Sequence, residues 1–470
     1  MRSEIADHGR PTAQSWPAHV RATLGLGLPL IGAHLAQVAI TTTDTIMIGW
    51  LGAVALGASV LGAQSFFLML MLGSGFAIAI MPIAAQAEGR GDVRAVRRSV
   101  RMGLWIAVGY SALCMVPLTY FEPILLFGGQ DPAVVGPAAE YMRVLQWSLF
   151  PAQLSFVLRS FFVALGRPQI MLWTTVFAAV LNGFLNYALI FGHWGAPELG
   201  IVGAAWASLI TTSLTFLIQC GYAAWQPALR QFELFVRIWR SDREAMAELI
   251  RLGWPIGLTV IAEVGLFAGS SMMMGWLGTV ELAAHGIALQ LASLAFMIPL
   301  GFSGVATVRI GNAFGRGDHS GLMRAAQTVL ALGVGWGVVS AMLFVAAPGP
   351  LAALFLDETR PDSAAVLASA TVLLAFAAAF QLFDCLQAVA AGLLRGLKDT
   401  RTPLLIAVFS YWVVGMPAAW LLGFPAGLGG AGVWLGLALG LSAAAVLLTI
   451  RFFRLAQPRG KPPTKARVVA

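Results

Sequence analysis

The chain has 470 residues, 59% of them hydrophobic and 11% charged. Soluble domains run near 25% charged, so this composition excludes an ordinary water-soluble enzyme. The net charge of +8 sits in short segments between apolar runs, a placement that argues for membrane topology and against a nucleic-acid partner.

Residues 1–20 are polar and lack the short apolar core of a cleavable leader. The first apolar run is therefore expected to serve as its own membrane signal. Runs of about 20 apolar residues cross a bilayer as helices. Twelve are predicted: 22–48, 55–83, 102–120, 141–163, 169–191 and 200–224, then 249–274, 282–309, 324–346, 365–394, 403–423 and 429–450. This predicts an all-α integral membrane protein. Residues 1–225 form an amino-terminal six-helix lobe and 249–456 a carboxy-terminal one. Between them, 226–248 reads as an amphipathic connector lying at the membrane interface, because 228–250 mixes Phe, Val, Ile and Trp with Arg. The tail 457–470 is basic and Pro-rich and is expected to be disordered.

Lys and Arg set orientation. The termini and the loops 84–101, 159–168, 225–251, 309–324 and 395–401 carry 27 of the 29 basic residues. The opposite loops hold only Arg143 and Arg360, beside acids such as Glu122, Asp131 and Glu281. Both termini are therefore expected in the cytoplasm, the membrane being a bacterial inner one.

The sequence repeats itself. At an offset of 226, residues 26–92 align with 252–318 without a gap and 23 of 67 positions are identical. Gly49-Trp50-Leu51-Gly52 meets Gly275-Trp276-Leu277-Gly278, and Gly89-Arg90-Gly91-Asp92 meets Gly315-Arg316-Gly317-Asp318. Pro29 meets Pro255 and Gln64 meets Gln290. Shared apolar composition scatters matches; it does not produce two four-residue runs at one offset. Six spans separate the copies, so they are parallel repeats, and such folds hold substrate between their halves.

Ionisable groups in the bilayer core cost about 2.5–3.5 kcal/mol on insertion scales and are functional candidates by default. Asp44, Glu263 and Asp384 lie well inside spans. His34, Gln37, Thr41 and Asp44 share one helical face, Asn182 and Asn186 stand one turn apart, Glu263 shares a face with Ser270, and Gln381 and Gln387 flank Asp384. An unpaired acid there exchanges a proton or binds a cation. The alternative is that these acids pair with Arg or Lys and only brace helices; Arg159 and Arg309, the basic residues nearest, lie toward cytoplasmic ends. His34 reads as a packing residue, and the Asn pair serves equally as an interhelical clamp. Gln290 and Gln381 join the polar residues expected around the cavity. The cysteines Cys114, Cys220 and Cys385 are too far apart for a metal site, and no nucleophile–base set or nucleotide loop suggests an enzyme.

Several motifs, in order on twelve spans, resemble the multidrug and toxic compound extrusion (MATE) family, especially its NorM-like bacterial branch. They are P-x14-D-T-x-M-x-G at Pro29 to Gly49, A-x-Q-x-x-G at Ala84 to Gly89, N-x-x-x-N at Asn182 to Asn186, P-x7-E at Pro255 to Glu263, and Asp384 before L-R-G-x-x-D-T at Leu394 to Thr400. The resemblance implies V-shaped lobes and an antiporter that expels cationic amphiphilic drugs for Na⁺ or H⁺, with no cofactor and as a monomer among membrane lipids. It implies that Asp44 is the amino-lobe coupling acid, with Gln37, Asn182 and Asn186 around it, and that Glu263 and Asp384 form a carboxy-lobe cation site. Phe380 departs from the pattern, since some relatives carry Tyr there. A flippase for lipid-linked sugars would need cations in its cavity, and a major-facilitator carrier would show its charged motif in 84–101; neither is evident.

Overall fold

Among the described residues, twelve helices are long and apolar enough to cross a membrane, as the sequence predicts. The structure is a computed structural model that describes residues 15–357 and 361–457. The first half contains α1 (Trp16–Gly49), α2 (Ala53–Gly89), α3 (Val93–Thr119), α4 (Pro132–Ala164), α5 (Gln169–Phe191) and α6 (Ile201–Trp225). The second contains α7 (Arg243–Leu277), α8 (Thr279–Arg316), α9 (His319–Ala346), α10 (Ser363–Gly396), α11 (Arg401–Gly423) and α12 (Gly429–Ala456). The amino-terminal residues 1–14, most of the tail assigned to 457–470, and Arg360 lie outside the described residues.

The two repeated loop motifs have a mechanical explanation. Each ends one helix and starts the next at the same register. Gly52 and Gly278 have φ of +108° and +135°, and Gly91 and Gly317 have +71° and +70°; glycine takes this region without steric cost. Asp92 and Asp318 then cap α3 and α9, accepting from the amides of Ala95 at 3.0 Å and Gly321 at 2.8 Å. These caps correct the predicted loops. Where 84–101 and 309–324 were expected as loops, α2 runs to Gly89 and α8 to Arg316, and α3 and α9 begin within a few residues. Hydropathy registers only the part of a helix facing lipid, whereas backbone hydrogen bonding continues into water as long as the termini are satisfied.

The repeat also builds the junction between halves. Gly253 of α7 lies against Phe76 of α2, and its repeat mate Gly27 of α1 lies against Phe302 of α8. Gly89 faces the Asn312 carbonyl, and Gly315 faces the Gln86 carbonyl. Gly75 of α2 meets the backbone of Gly253 and Gly257, while its mate Gly301 meets Ile31. Small residues let backbones approach closely in membranes, where no hydrophobic effect drives helices together.

Bonds between the halves gather at one end of the bundle, where α1 begins and α2 ends. Gln86 Nε2 donates to the Gly396 carbonyl at 2.9 Å. Arg309 donates to the His19 carbonyl at 2.8 Å and also to the Thr23 hydroxyl. A single hydrophobic core spans both halves here, from Leu30 and Ile80 to Val305 and Leu393. At the opposite end each half has separate cores, one around Leu266, Phe380 and Trp434, others around Ile48 and Met142. The halves thus form a V closed at the basic end.

The connector differs from its expected form. Only Pro227–Arg230 is helical, and from Arg243 onward the chain already belongs to α7. Leu229, Phe232 and Leu234 do not face lipid; they are buried in the shared core, Phe232 edge-on to Phe161 at 5.6 Å. Its carbonyls find donors on α3: Arg97 Nε reaches that of Phe232 at 2.7 Å, and Trp105 Nε1 that of Ile238 at 2.8 Å. Once the backbone is satisfied by α3, the apolar side chains bury inward.

Candidate functional site

The amino half assembles a polar cluster where α5 meets α1. Asn186 Nδ2 donates to Asp44 Oδ1 and also contacts Asn182 Oδ1 at 3.2 Å. Both asparagines are fully buried and Asp44 half-buried. Asn182 Nδ2 and Asn186 Oδ1 have no further partner. Tyr141 of α4 lies within electrostatic reach of Asp44. Gln37, two turns earlier on α1, is exposed and does not reach Asp44. His34, read as a packing residue, makes no hydrogen bond among the described residues.

The carboxy half holds its acids differently. Asp384 of α10 is 3% exposed, and its Oδ1 has no hydrogen-bond partner. Glu263 of α7 is half-buried, and the charges of the two acids act on each other. Gln381, Gln387 and Asp384 are all buried, and each keeps a side-chain oxygen unpartnered. Such orphaned oxygens are rare in closed cores and form a donor set suited to a proton or a hard cation.

None of the three acids forms an ion pair. Ion pairs among the described residues lie elsewhere, as between Lys398 and Glu248 at 2.7 Å. The bracing alternative therefore lacks its contacts. One correction concerns Arg395, assigned from sequence to a cytoplasmic loop. It belongs to α10, donates to Ser303 Oγ at 2.6 Å, and its charge is felt by Glu263. The helix simply outlasts the apolar run.

Tyr411 was missed by sequence reasoning. It is fully buried, accepts or shares a 2.7 Å hydrogen bond with Gln387 Nε2, and stands near both Glu263 and Asp384. It sits in Phe409–Gly415, where α11 widens into a π-helical turn just before Pro417. A proline lacks the amide that would close the preceding turn, and π-turns often mark functional positions. The proline was visible in the sequence; its effect on Tyr411 was not. Phe380, which brings no hydroxyl, packs edge-on against Trp434 at 5.4 Å and Phe267 at 6.0 Å. His285 was also missed: its Nε2 lies 3.1 Å from Ser271 Oγ. Gln290 is exposed and joins neither acid cluster.

Comparison with known proteins gives two matched stretches, residues 29–188 and 255–421, to the profile of the MatE family. The chain belongs to the MatE family. The two matches divide as the internal repeat does. A probable multidrug resistance protein NorM from Rhizobium meliloti (strain 1021) is 54% identical over 441 residues, 94% of each chain. Another from Agrobacterium fabrum is 49% identical over 456 residues, covering 97% of this chain and 98% of its own. A crystal structure of MATE in complex with MaL6 has a TM-score of 0.85 at 19% identity, over 93% of this chain and 96% of its own. At that identity it establishes the shared fold of this MatE member.

Proposed function

We propose that this multi-pass membrane protein is a multidrug efflux transporter: an antiporter that exports cationic amphiphilic compounds in exchange for Na⁺ or H⁺ by alternating access. The observation that carries the reading is the pair of acid clusters, one in each arm of the V, neither ion-paired with Lys or Arg. Asp44 is the coupling acid of the amino arm. Glu263 and Asp384 form the cation site of the carboxy arm, where the charge of an Na⁺ or of protons relieves their mutual repulsion. Exposed Gln37 and Gln290 face the space between the arms, since amides turned to lipid would be costly.

The Lys and Arg distribution supports a closed end on the cytoplasmic side of a bacterial inner membrane, with the V opening outward. Rocking the arms about the glycine-lined crossing alternates access. One charge moving down about 100 mV releases about 2.3 kcal/mol, enough for a roughly fiftyfold gradient of an uncharged drug at about 1.4 kcal/mol per tenfold; a cationic drug leaving against the potential needs an extra ion or an ion concentration gradient. A flippase for phosphorylated lipids would need cations between the arms, where the charged groups named here are acids.

The test is export of a fluorescent cationic dye from proteoliposomes driven separately by Na⁺ and H⁺ gradients. Export under one gradient identifies the ion; none under either overturns the antiporter reading.

A further inference from the structure

A second charged site lies away from the acid clusters, where α3, the connector and the start of α7 enclose a recess of about 920 Å³. Seven arginines and three carboxylates line it. Arg97 pairs with Glu233 at 2.8 Å, and Arg98 pairs with both Asp242 and Glu244. That uses all three carboxylates. Arg94, Arg101, Arg237, Arg240 and Arg243 form no ion pair.

Arg101 is the informative one. It is only 7% exposed, its Nε has no partner, and its other contact is a long 3.4 Å bond to the Arg237 carbonyl. The charge of Asp242 acts on it, but that carboxylate is already paired with Arg98, and burying a guanidinium that lacks an anion of its own is costly. The connector adopts an unusual path here, with Glu233 and Arg237 at φ of +42° and +55°. Non-glycine residues hold that conformation only where surrounding contacts enforce it.

The recess also sits at headgroup depth. Arg94 to Arg101 precede the apolar part of α3, and two exposed tryptophans adjoin the lining residues in the chain, Trp105 one turn past Arg101 and Trp239, 73% exposed, next to Arg240. Tryptophans gather at the membrane–water boundary, and basic pockets between helices on the cytoplasmic side bind anionic headgroups. We infer that this recess binds the phosphate headgroup of an anionic phospholipid, with Arg101 at its base and Arg94 and Arg240 at its rim. Because Arg98 of α3 reaches Asp242 and Glu244 at the start of α7, the site joins both halves. A bound headgroup would therefore favour the arrangement closed at this end.

Native mass spectrometry of the detergent-solubilised full chain tests this with phosphatidylglycerol, phosphatidylcholine and inorganic phosphate as separate probes. Phosphatidylglycerol is expected to be retained about tenfold better than phosphatidylcholine. R94Q/R240Q should abolish that preference, since two surface arginines supply up to roughly thirtyfold on an anionic headgroup, and R94K/R240K should keep most of it. Equal retention of the two lipids, or an R94Q/R240Q protein that keeps the preference, would overturn the inference. So would inorganic phosphate competing off the lipid at equal concentration, since the ligand would then be free phosphate. R101Q alone is a weaker arm, because loss of the connector's docking would also lower binding.

Discussion

The amino and carboxy arms share one backbone plan and hold their acids in opposite ways. In the amino arm a single carboxylate, Asp44, accepts from Asn186, and Asn182 stands behind it. In the carboxy arm Glu263 and Asp384 confront each other with no hydrogen bond to either, beside Tyr411 and within reach of Arg395. At the repeat mate of Asp44 stands Ser270, whose hydroxyl bonds to its own helix at the Phe267 carbonyl at 2.8 Å. At the repeat mate of Glu263 stands exposed Gln37. In both arms the fifth helix brings a neutral hydrogen-bonding group to the acids, Asn186 from α5 and Tyr411 from α11. Duplication preserved where helices cross and left the chemistry at each crossing free to diverge. One arm hydrogen-bonds its acid, and the other leaves two acids without a hydrogen-bond partner, as the proposed cation site requires.

The largest expected effect separates those roles. Glu263→Gln and Asp384→Asn should each abolish ion-driven dye accumulation at unchanged membrane level, the ratio falling to that seen without an ion gradient. Asp44→Asn should impair it as well. If Asp44→Asn left the ion response intact in proteoliposomes, coupling would reside in the carboxy arm alone; normal export by all three variants would remove the coupling role altogether.

Next in size is the junction itself. A Cβ on Gly75 would lie 2.4 Å from the Gly257 amide nitrogen, so backbone must move, whereas the nearest atom to a Cβ on Gly301 is a side-chain carbon, Ile31 Cγ1 at 2.6 Å, with the Ile31 amide nitrogen at 3.2 Å. Gly75→Ala should lower stability by about 1–3 kcal/mol, as overpacking does, and Gly301→Ala by less. Equal melting temperatures for the two variants would contradict the tighter α2–α7 crossing.

Tyr411→Phe leaves buried Gln387 Nε2 without its partner, at a cost of about 1–3 kcal/mol. We expect a several-fold rise in the ion concentration for half-maximal export, with export itself retained. An unchanged half-saturation would separate Tyr411 from the cation site. The equivalent Asn186→Ala change probes whether the amino arm depends on its donor in the same way.

The smallest effect lies on the polar side of α7. The Arg98 guanidinium beside Asp242 holds its carboxyl below the usual carboxylate range, helped by the Ala245 amide. A lowered value means the contribution to stability is present at neutral pH and fades as pH falls below about 4. The melting-temperature gap between the unaltered chain and Asp242→Asn should shrink over that acid range. A constant gap would assign Asp242 to helix capping alone.

The sequence by itself determined the membrane class, the twelve spans, the duplication and the three acids, because each rests on a cost that any bilayer imposes: apolar length, charge burial and charge distribution. It showed Gly91-Asp92 and Gly317-Asp318 as a repeated motif but not as caps, a role that the Ala95 and Gly321 amides reveal. Helix ends ran past the apolar stretches, as α10 did at Arg395, because hydropathy does not see a helix once it enters water. Only tertiary structure decided which groups meet. It placed Asn186 on Asp44 but not Gln37, brought Tyr411 beside Glu263 and Asp384, and drew Leu229, Phe232 and Leu234 of the connector into the core. Those contacts join helices more than a hundred residues apart in several cases, and a long-range approach is set by packing and backbone satisfaction, not by spacing along one helix.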